Sequence, residues 1–375
     1  MPEGFIEPLT NRQECFNCHT TVSGEKKLFK CNGCHAITYC GKECQVADWP
    51  RHSWNCVPVM VTEIQGKGRG IVAAKKIKMG ELIFKDKTAI KLPTLDSSCF
   101  ELVMKQIEKL PSEAKSVFYK LEASKVPDLE AEIRSHNKKL GNEELLKFFN
   151  NCEGHNEDSW YLFLNVALIN HSCAPNAAVG TVEPEENEKI SEVRATRNIS
   201  KGEEICICYK KDLKHFVSTQ ERKMIIKKEF GFHCNCCVCS GKVPDQEDIL
   251  RDYTRLRKTL ATNHTQKEPS DWAIEAHILD QVVELDHKLY IGSVLDKVVV
   301  LDLMAKTARM SRDRDLQKKA MDLWKKLVED TKLTSVKFNY EMMATALEKW
   351  SHVFDSDSAP SATEISIIFS PRLVG

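Results

Sequence analysis

Several things are missing from these 375 residues, and each absence excludes something. No apolar run reaches membrane-spanning length; Val298-Val299-Val300-Leu301 is broken at once by Asp302. The start, Met1-Pro2-Glu3-Gly4-Phe5, has neither the basic segment nor the apolar core of an export signal, so an intracellular setting is expected, in nucleus or cytoplasm. Net charge is also absent. The 54 Lys and Arg residues balance 54 Asp and Glu residues, which removes the global electrostatic case for nucleic acid or membrane as a partner. What remains is an ordinary soluble composition, 42% hydrophobic and 29% charged. The length is enough for two or three domains.

Cysteine is the residue in excess, sixteen of them, clustered rather than scattered. Without an export signal, clustered cysteines point to metal rather than disulfides. In the first sixty residues Cys15, Cys18, Cys31, Cys34, Cys40, Cys44, His52 and Cys56 form C-x2-C-x12-C-x2-C-x5-C-x3-C-x7-H-x3-C. Eight ligands supply two tetrahedral zinc sites with no open position, so the zinc is structural. Gly33 and Gly41 are expected to permit the bends between ligands. So short a segment has little apolar surface, and metal binding supplies most of its folding free energy. His19 and His35 fall outside this register and are expected at the surface. Lys26, Lys27 and Lys30 are too few to argue for DNA.

The spacing resembles the MYND zinc finger. That family interleaves its sites, which implies Cys15, Cys18, Cys40 and Cys44 in one and Cys31, Cys34, His52 and Cys56 in the other. It also implies a module that binds proline-containing peptides.

Next comes Gln65-Gly66-Lys67-Gly68-Arg69-Gly70-Ile71, between β-branched segments that predict a strand-loop-strand unit. It is not a dinucleotide fingerprint, because no helix with a glycine at the required spacing follows. Residues 100–107 and 145–149 have helical spacing, and Asn150, Asn151, His155 and Asn156 read as a polar loop. An apolar run, residues 162–169, then ends abruptly in Asn170-His171-Ser172-Cys173-Ala174-Pro175-Asn176. Hydrogen-bonding groups at the edge of a core line a ligand site or hold a metal. Residues 177–182 and 190–195 predict a hairpin, followed by Gly202-Glu203-Glu204-Ile205-Cys206-Ile207-Cys208-Tyr209. A helix from Glu221 leads to Phe230-Gly231-Phe232-His233 and to Cys234, Cys236 and Cys239, three thiolates that leave a tetrahedral site one ligand short.

The string N-H-S-C-x-P-N, the G-x-G-x-G segment and G-E-E-I-x-x-x-Y together resemble the SET-domain protein-lysine methyltransferases. With the finger, the chain is similar to the SET and MYND domain-containing (SMYD-type) family. The resemblance implies an S-adenosylmethionine-dependent protein-lysine N-methyltransferase acting on a histone or non-histone lysine. It implies Lys67, Gly68, Arg69, Asn170, His171 and Phe232 at the cofactor, with Lys67 and Arg69 reaching its carboxylate. It implies Tyr209 as the active-site tyrosine, at the mouth of a channel where the lysine meets the methyl donor. It implies Cys173 as the fourth ligand to Cys234, Cys236 and Cys239, a third zinc that pins this segment. Phe230 stands where several relatives have tyrosine. One departure is visible: in the vertebrate members the finger follows the glycine motif, and here it precedes it.

Residues 250–260, 274–289, 294–304, 320–327 and 342–347 carry helical periodicity, predicting four or five amphipathic helices packed in pairs, without a tetratricopeptide consensus. By position they match the family's C-terminal helical lobe, in shorter form. Trp272, Trp324 and Trp350 are expected in the core, and residues 355–375 as a disordered tail. Cys99, Cys152, Cys206, Cys208 and Cys237 have no zinc role and read as small apolar groups.

The expected fold is therefore α+β and zinc-rich. It comprises a MYND finger (15–56), a β-rich SET domain (57–228) with a helical insert near 95–150, a post-SET zinc segment (229–240) and a helical domain (241–354). A monomer with three zinc ions is expected. An alternative is a catalytically silent adaptor that works by protein binding, for example in transcriptional repression. A RING-like ubiquitin ligase shares only the eight-ligand zinc logic.

Overall fold

The computed structural model describes residues 14–21, 28–53, 56–93, 98–123, 143–155, 159–185, 188–260 and 269–349. The chain forms two compact units. The first comprises Met1–Asn170, Thr181–Cys206 and Lys228–Phe232, and the second His171–Gly180, Ile207–Lys227 and His233–Gly375. The expected tail and Trp350 lie outside the described residues.

The first unit begins with the finger. It has a two-residue ladder, β1 (Phe29–Lys30) with β2 (Thr38–Tyr39), and one helix, α1 (Lys42–His52). Its interior is Cys15, Cys31, Cys34 and Tyr39, too small a core to hold the fold without metal. The Tyr39 hydroxyl donates to Asp48 at 2.7 Å, satisfying both buried groups. The tight bends are made differently from the sequence expectation. Gly41 has extended backbone, φ −172°, and no positive φ is found at Gly33. The left-handed positions are His19 (φ 56°) and His35 (φ 61°), each directly after a C-x2-C pair. Histidine is among the residues that tolerate this region. Gly33 is needed for space, since a Cβ there would lie 2.7 Å from the Cys56 sulfur.

Beyond the finger, β3 (Val59–Ile64) and β4 (Gly68–Ala73) form a full antiparallel hairpin around the glycine loop. Then follow β5 (Leu82–Lys87), β6 (Ile90–Leu92), α2 (Cys99–Lys109), α3 (Ser112–Tyr119), α4 (Glu143–Asn151), β7 (Cys152–His155) and β8 (Ser159–Leu162). The two predicted insert helices are α2 and α4; α3 was not read from the sequence. The predicted polar loop is corrected as well. Asn150 and Asn151 end α4, Cys152–His155 is a strand paired with β8, and Asn156 lies outside the described residues. Strands β6, β8 and β7 make one sheet, in that order. Val103, Ile107, Phe118, Leu145 and Phe148 pack against Ile90, Leu92 and Leu162 in its core. Each such side chain is worth roughly 1.5–3 kcal/mol of burial.

Residues after β8 form one 3-10 turn (Val166–Leu168) and then β9 (Asn170–His171). The predicted hairpin is β10 (Ala177–Glu185) with β11 (Glu188–Ala195), and β11 also pairs with β5. Strand β12 (Glu204–Ile207) completes a four-stranded sheet in the order β3-β4-β12-β9. In β9 and β12 the chain passes from the first unit to the second.

The second unit carries most of α5 (Thr219–Phe230) and then, among the described residues, five helices. These are α6 (Glu247–Thr259), α7 (Pro269–Lys288), α8 (Leu295–Met310), α9 (Arg314–Thr331) and α10 (Thr334–Lys349). Each packs on the next in sequence, as short connections dictate. Asp313 caps α9 by accepting from Leu316 N at 2.9 Å, and Lys332 ends it in the left-handed conformation. Trp272 and Trp324 are buried, as expected of core residues. Among the described residues no helix is long and apolar enough to cross a membrane.

Candidate functional site

Twelve ligand-type side chains assemble into three groups of four: Cys15, Cys18, Cys40 and Cys44; Cys31, Cys34, His52 and Cys56; and Cys173, Cys234, Cys236 and Cys239. Within each group every donor atom lies within 4.8 Å of the others. A tetrahedral zinc with Zn–S of about 2.3 Å needs sulfurs about 3.8 Å apart. The Cys18–Cys40 and Cys31–Cys56 sulfurs are 3.7 Å apart, Cys173 is 3.8 Å from Cys234 and 3.6 Å from Cys239. His52 Nε2 lies 3.3 Å from the Cys31 sulfur and 3.6 Å from that of Cys34. The residues fit zinc in all three places, and the protein has three structural zinc sites.

Proton affinities are strongly perturbed within the groups. A hydrogen bond with Thr20 lowers the Cys18 thiol to about 6. In the third group, hydrogen bonding to Cys234, Cys236 and Cys239 drives the Cys173 thiol far up, while the bond from Cys173 lowers Cys234 to about 5. Sulfurs so close share protons, and a dication that displaces them relieves the crowding. Of the thiols outside the groups, Cys99 and Cys206 are buried, as expected of small apolar groups. Cys152, Cys208 and Cys237 are half-buried.

In the first unit Lys67, Gly68, Arg69 and Asn170 lie together around the start of β4 and the first residue of β9, and Phe232 is not shown among them. Gly66 and Gly68 have φ of 74° and 72°, a region that favours glycine. Gly70 is constrained by space. A Cβ there would lie 2.6 Å from Asn170 Nδ2 and 2.7 Å from Ile64 Cγ1. Lys67 Nζ donates to Glu204 at 2.6 Å. The Arg69 guanidinium donates to the carbonyl of Lys120, the residue that ends α3, so here it caps a helix. Asn170 Nδ2 donates to Arg69 O at 3.1 Å and to Glu204 Oε1 at 3.0 Å. Phe232 sets its ring 6.5 Å from that of Phe230, tilted 45°.

The chain reaches Asn170 through a turn held by one buried carboxylate. Asp86, in β5, accepts from Asn165 N at 2.6 Å, Val166 N at 3.0 Å and Asn165 Nδ2 at 3.2 Å. Burial pushes its pKa up to about 7 despite these bonds.

In the second unit, His171 joins the tyrosine to the third zinc group. Its Nδ1 accepts from the Tyr209 backbone N–H at 3.1 Å, so the ring proton sits on Nε2, 3.5 Å from the Cys173 sulfur. The His171 and Tyr209 rings lie 5.3 Å apart, tilted by 58°. A hydrogen bond to a zinc-bound sulfur orients the ligand and the ring together. Ser172 N donates to Ile207 O at 2.9 Å, and Gly292 N to the Cys173 carbonyl at 2.8 Å. Tyr209 is thus fixed through its backbone by a histidine that a zinc ligand also holds.

Sequence reasoning missed Glu204 as a partner of Lys67 and Asn170, and Asp86 as the anchor of the turn. Asp86 carries no local signal, and Glu204, although inside the G-E-E-I segment, acts on partners far along the chain.

The family model for the MYND finger matches residues 15–56, and that for the SET domain residues 68–210. Among relatives, the histone-lysine N-methyltransferase ASHR1 of Arabidopsis thaliana is 27% identical over 278 residues, 70% of this chain and 54% of that protein. The human N-lysine methyltransferase SMYD2 is 28% identical over 257 residues, 64% of this chain and 54% of that protein. The Neurospora SET domain protein DIM-5 aligns over 41% of this chain and 52% of its own at 18% identity with a TM-score of 0.22, too slight a likeness to bear on the fold. The chain carries a MYND finger and a SET domain, and it resembles the SET and MYND domain-containing lysine methyltransferases over those residues. It spans about half the length of the curated relatives it matches.

Proposed function

We propose that this protein transfers a methyl group from S-adenosylmethionine to the ε-amine of a protein lysine, histone or non-histone. The observation that carries the reading is the His171–Tyr209 pair beside the Cys173 zinc group. The backbone of the tyrosine is fixed by His171, which sets where its side chain stands. Lys67, Gly68, Arg69, Asn170, His171 and Phe232 bind the cofactor, whose sulfonium supplies an electrophilic methyl. Displacement by a neutral amine needs alignment and exclusion of water more than acid-base chemistry. An apolar, aromatic surround favours the neutral amine. The Tyr209 hydroxyl orders the approach by weak C–H···O contacts.

The finger is a partner-docking module. On α1, Val46 and Trp49 stand one turn apart and are 62% and 47% exposed, and Phe29 is 65% exposed. Aromatic and apolar groups in this arrangement suit a proline-containing peptide. The protein acts as an intracellular monomer, in nucleus or cytoplasm. A silent adaptor is not favoured, because a chain that only docks partners has no use for Tyr209 held beside zinc.

The test is transfer of labelled methyl from S-adenosylmethionine to a panel of lysine-containing proteins by the zinc-loaded full chain. Tyr209→Phe should lower transfer by about two orders of magnitude with unchanged zinc content. No transfer from folded, zinc-replete protein to any member of the panel would overturn the reading.

A further inference from the structure

One carboxylate at the glycine hairpin has no part in the chemistry above. Glu204 opens β12, and its side chain is 19% exposed. Oε2 accepts from Lys67 Nζ at 2.6 Å and Oε1 from Asn170 Nδ2 at 3.0 Å. The other hydrogen of that amide goes to Arg69 O at 3.1 Å. Turning the amide over would set its oxygen against a carbonyl and a carboxylate, neither of which can donate. Gly70 closes the space beside it, 2.6 Å from Nδ2 were a Cβ present. The amide is therefore fixed, nitrogen toward Glu204 and oxygen away from it.

We propose that Glu204 is a positioning residue for the amino-acid end of S-adenosylmethionine. It holds the Lys67 ammonium and orients the Asn170 amide as one unit. A cation and a fixed acceptor are then presented to a ligand that carries a carboxylate and an ammonium. Charge-assisted bonds are short and directional, so one carboxylate gripping both groups fixes their separation. The inference rests on the methyltransferase reading and adds to it a residue whose effect is confined to one end of the ligand.

The experiment compares two ligands by titration calorimetry on the zinc-loaded full chain. S-Adenosylhomocysteine has the amino-acid end; 5′-methylthioadenosine has the same adenosine and sulfur without it. Glu204→Gln should weaken S-adenosylhomocysteine by about 10- to 100-fold, the range for a hydrogen bond to a charged group. Methylthioadenosine should change less than about 3-fold. Lys67→Met should show the same selectivity. The double variant should be little worse than either single one, because the two residues act as a unit. Should Glu204→Gln fail to fold, Glu204→Asp keeps the charge but withdraws it, and should lose S-adenosylhomocysteine selectively too. Unchanged S-adenosylhomocysteine binding in a folded variant, or equal loss of both ligands, overturns the role of Glu204 alone. A wild-type chain that binds neither ligand overturns the methyltransferase reading, and this inference with it.

Discussion

Replacing Asp86 by Asn should remove a pH dependence from the stability of the first unit. The Asp86 carboxyl is buried and titrates at about 7, against about 3.9 for an unfolded aspartate. Between those values the folded chain holds a proton that the unfolded chain has lost. Stability from this group is therefore full below the unfolded pKa and is lost as pH rises through the folded one. The whole excursion is about three pH units, or about 4 kcal/mol as an upper bound. Acid also strips zinc from thiolates, so the useful window is pH 6 to 8. There a folded pKa near 7 accounts for about 1.4 kcal/mol. In Asp86→Asn one oxygen still accepts from Asn165 N and Val166 N, which both point at a single carboxylate oxygen. The Asn165 amide, now facing an NH2 group, can turn to accept from it. Urea denaturation of both proteins in excess zinc gives the difference in stability free of the zinc contribution. That difference should move by about 1.4 kcal/mol in favour of the variant between pH 6 and pH 8. A difference that stays flat across the window would refute the placement of an ionising carboxylate at this turn.

Three further outcomes are expected. Cys173→Ser should lower the zinc content from three ions to two and abolish methyl transfer, because the Cys173 sulfur also holds His171, 3.5 Å away. Cys34→Ser should cost zinc in the finger but leave transfer measurable; metal analysis beside the transfer assay separates the two. Asp286→Ala should destabilise the second unit by about 3 kcal/mol in a chemical denaturation series. Lys214 and Asp286 pair at 2.6 Å with side chains only 3% and 4% exposed, and the lysine would be left with Asp296 at 3.8 Å.

The zinc ligands were legible because C-x2-C and C-x-C-x2-C spacings state their purpose locally. The helices of the second unit were legible because each repeats its apolar face several times. Residues whose meaning depends on distant partners were not. Lys214, in the run Lys210-Lys211-Asp212-Leu213-Lys214, drew no notice in the sequence and is buried where Asp286 meets it 72 positions later. Arg69 read as an anion binder, and the structure sets it on a helix-end carbonyl from another segment. Gly70 drew notice as part of a glycine motif, yet its constraint is the amide of Asn170, a hundred residues on. His19 and His35 were passed over because they do not fit the ligand register, although they supply the left-handed turns that let the register close.

The bond from Gly292 N to the Cys173 carbonyl has a practical meaning for anyone trimming this protein. Gly292 lies between α7 and α8, at φ 91°, with Lys214 and Asp296 so near that no side chain fits. A fragment ending after Cys239 would contain every zinc ligand and the tyrosine. It would still leave the Cys173 carbonyl without its Gly292 donor and Lys214 without Asp286 and Asp296. A piece fit to test the proposed transfer therefore extends well past the last recognisable motif, and inactivity of a shorter fragment would say nothing about the whole.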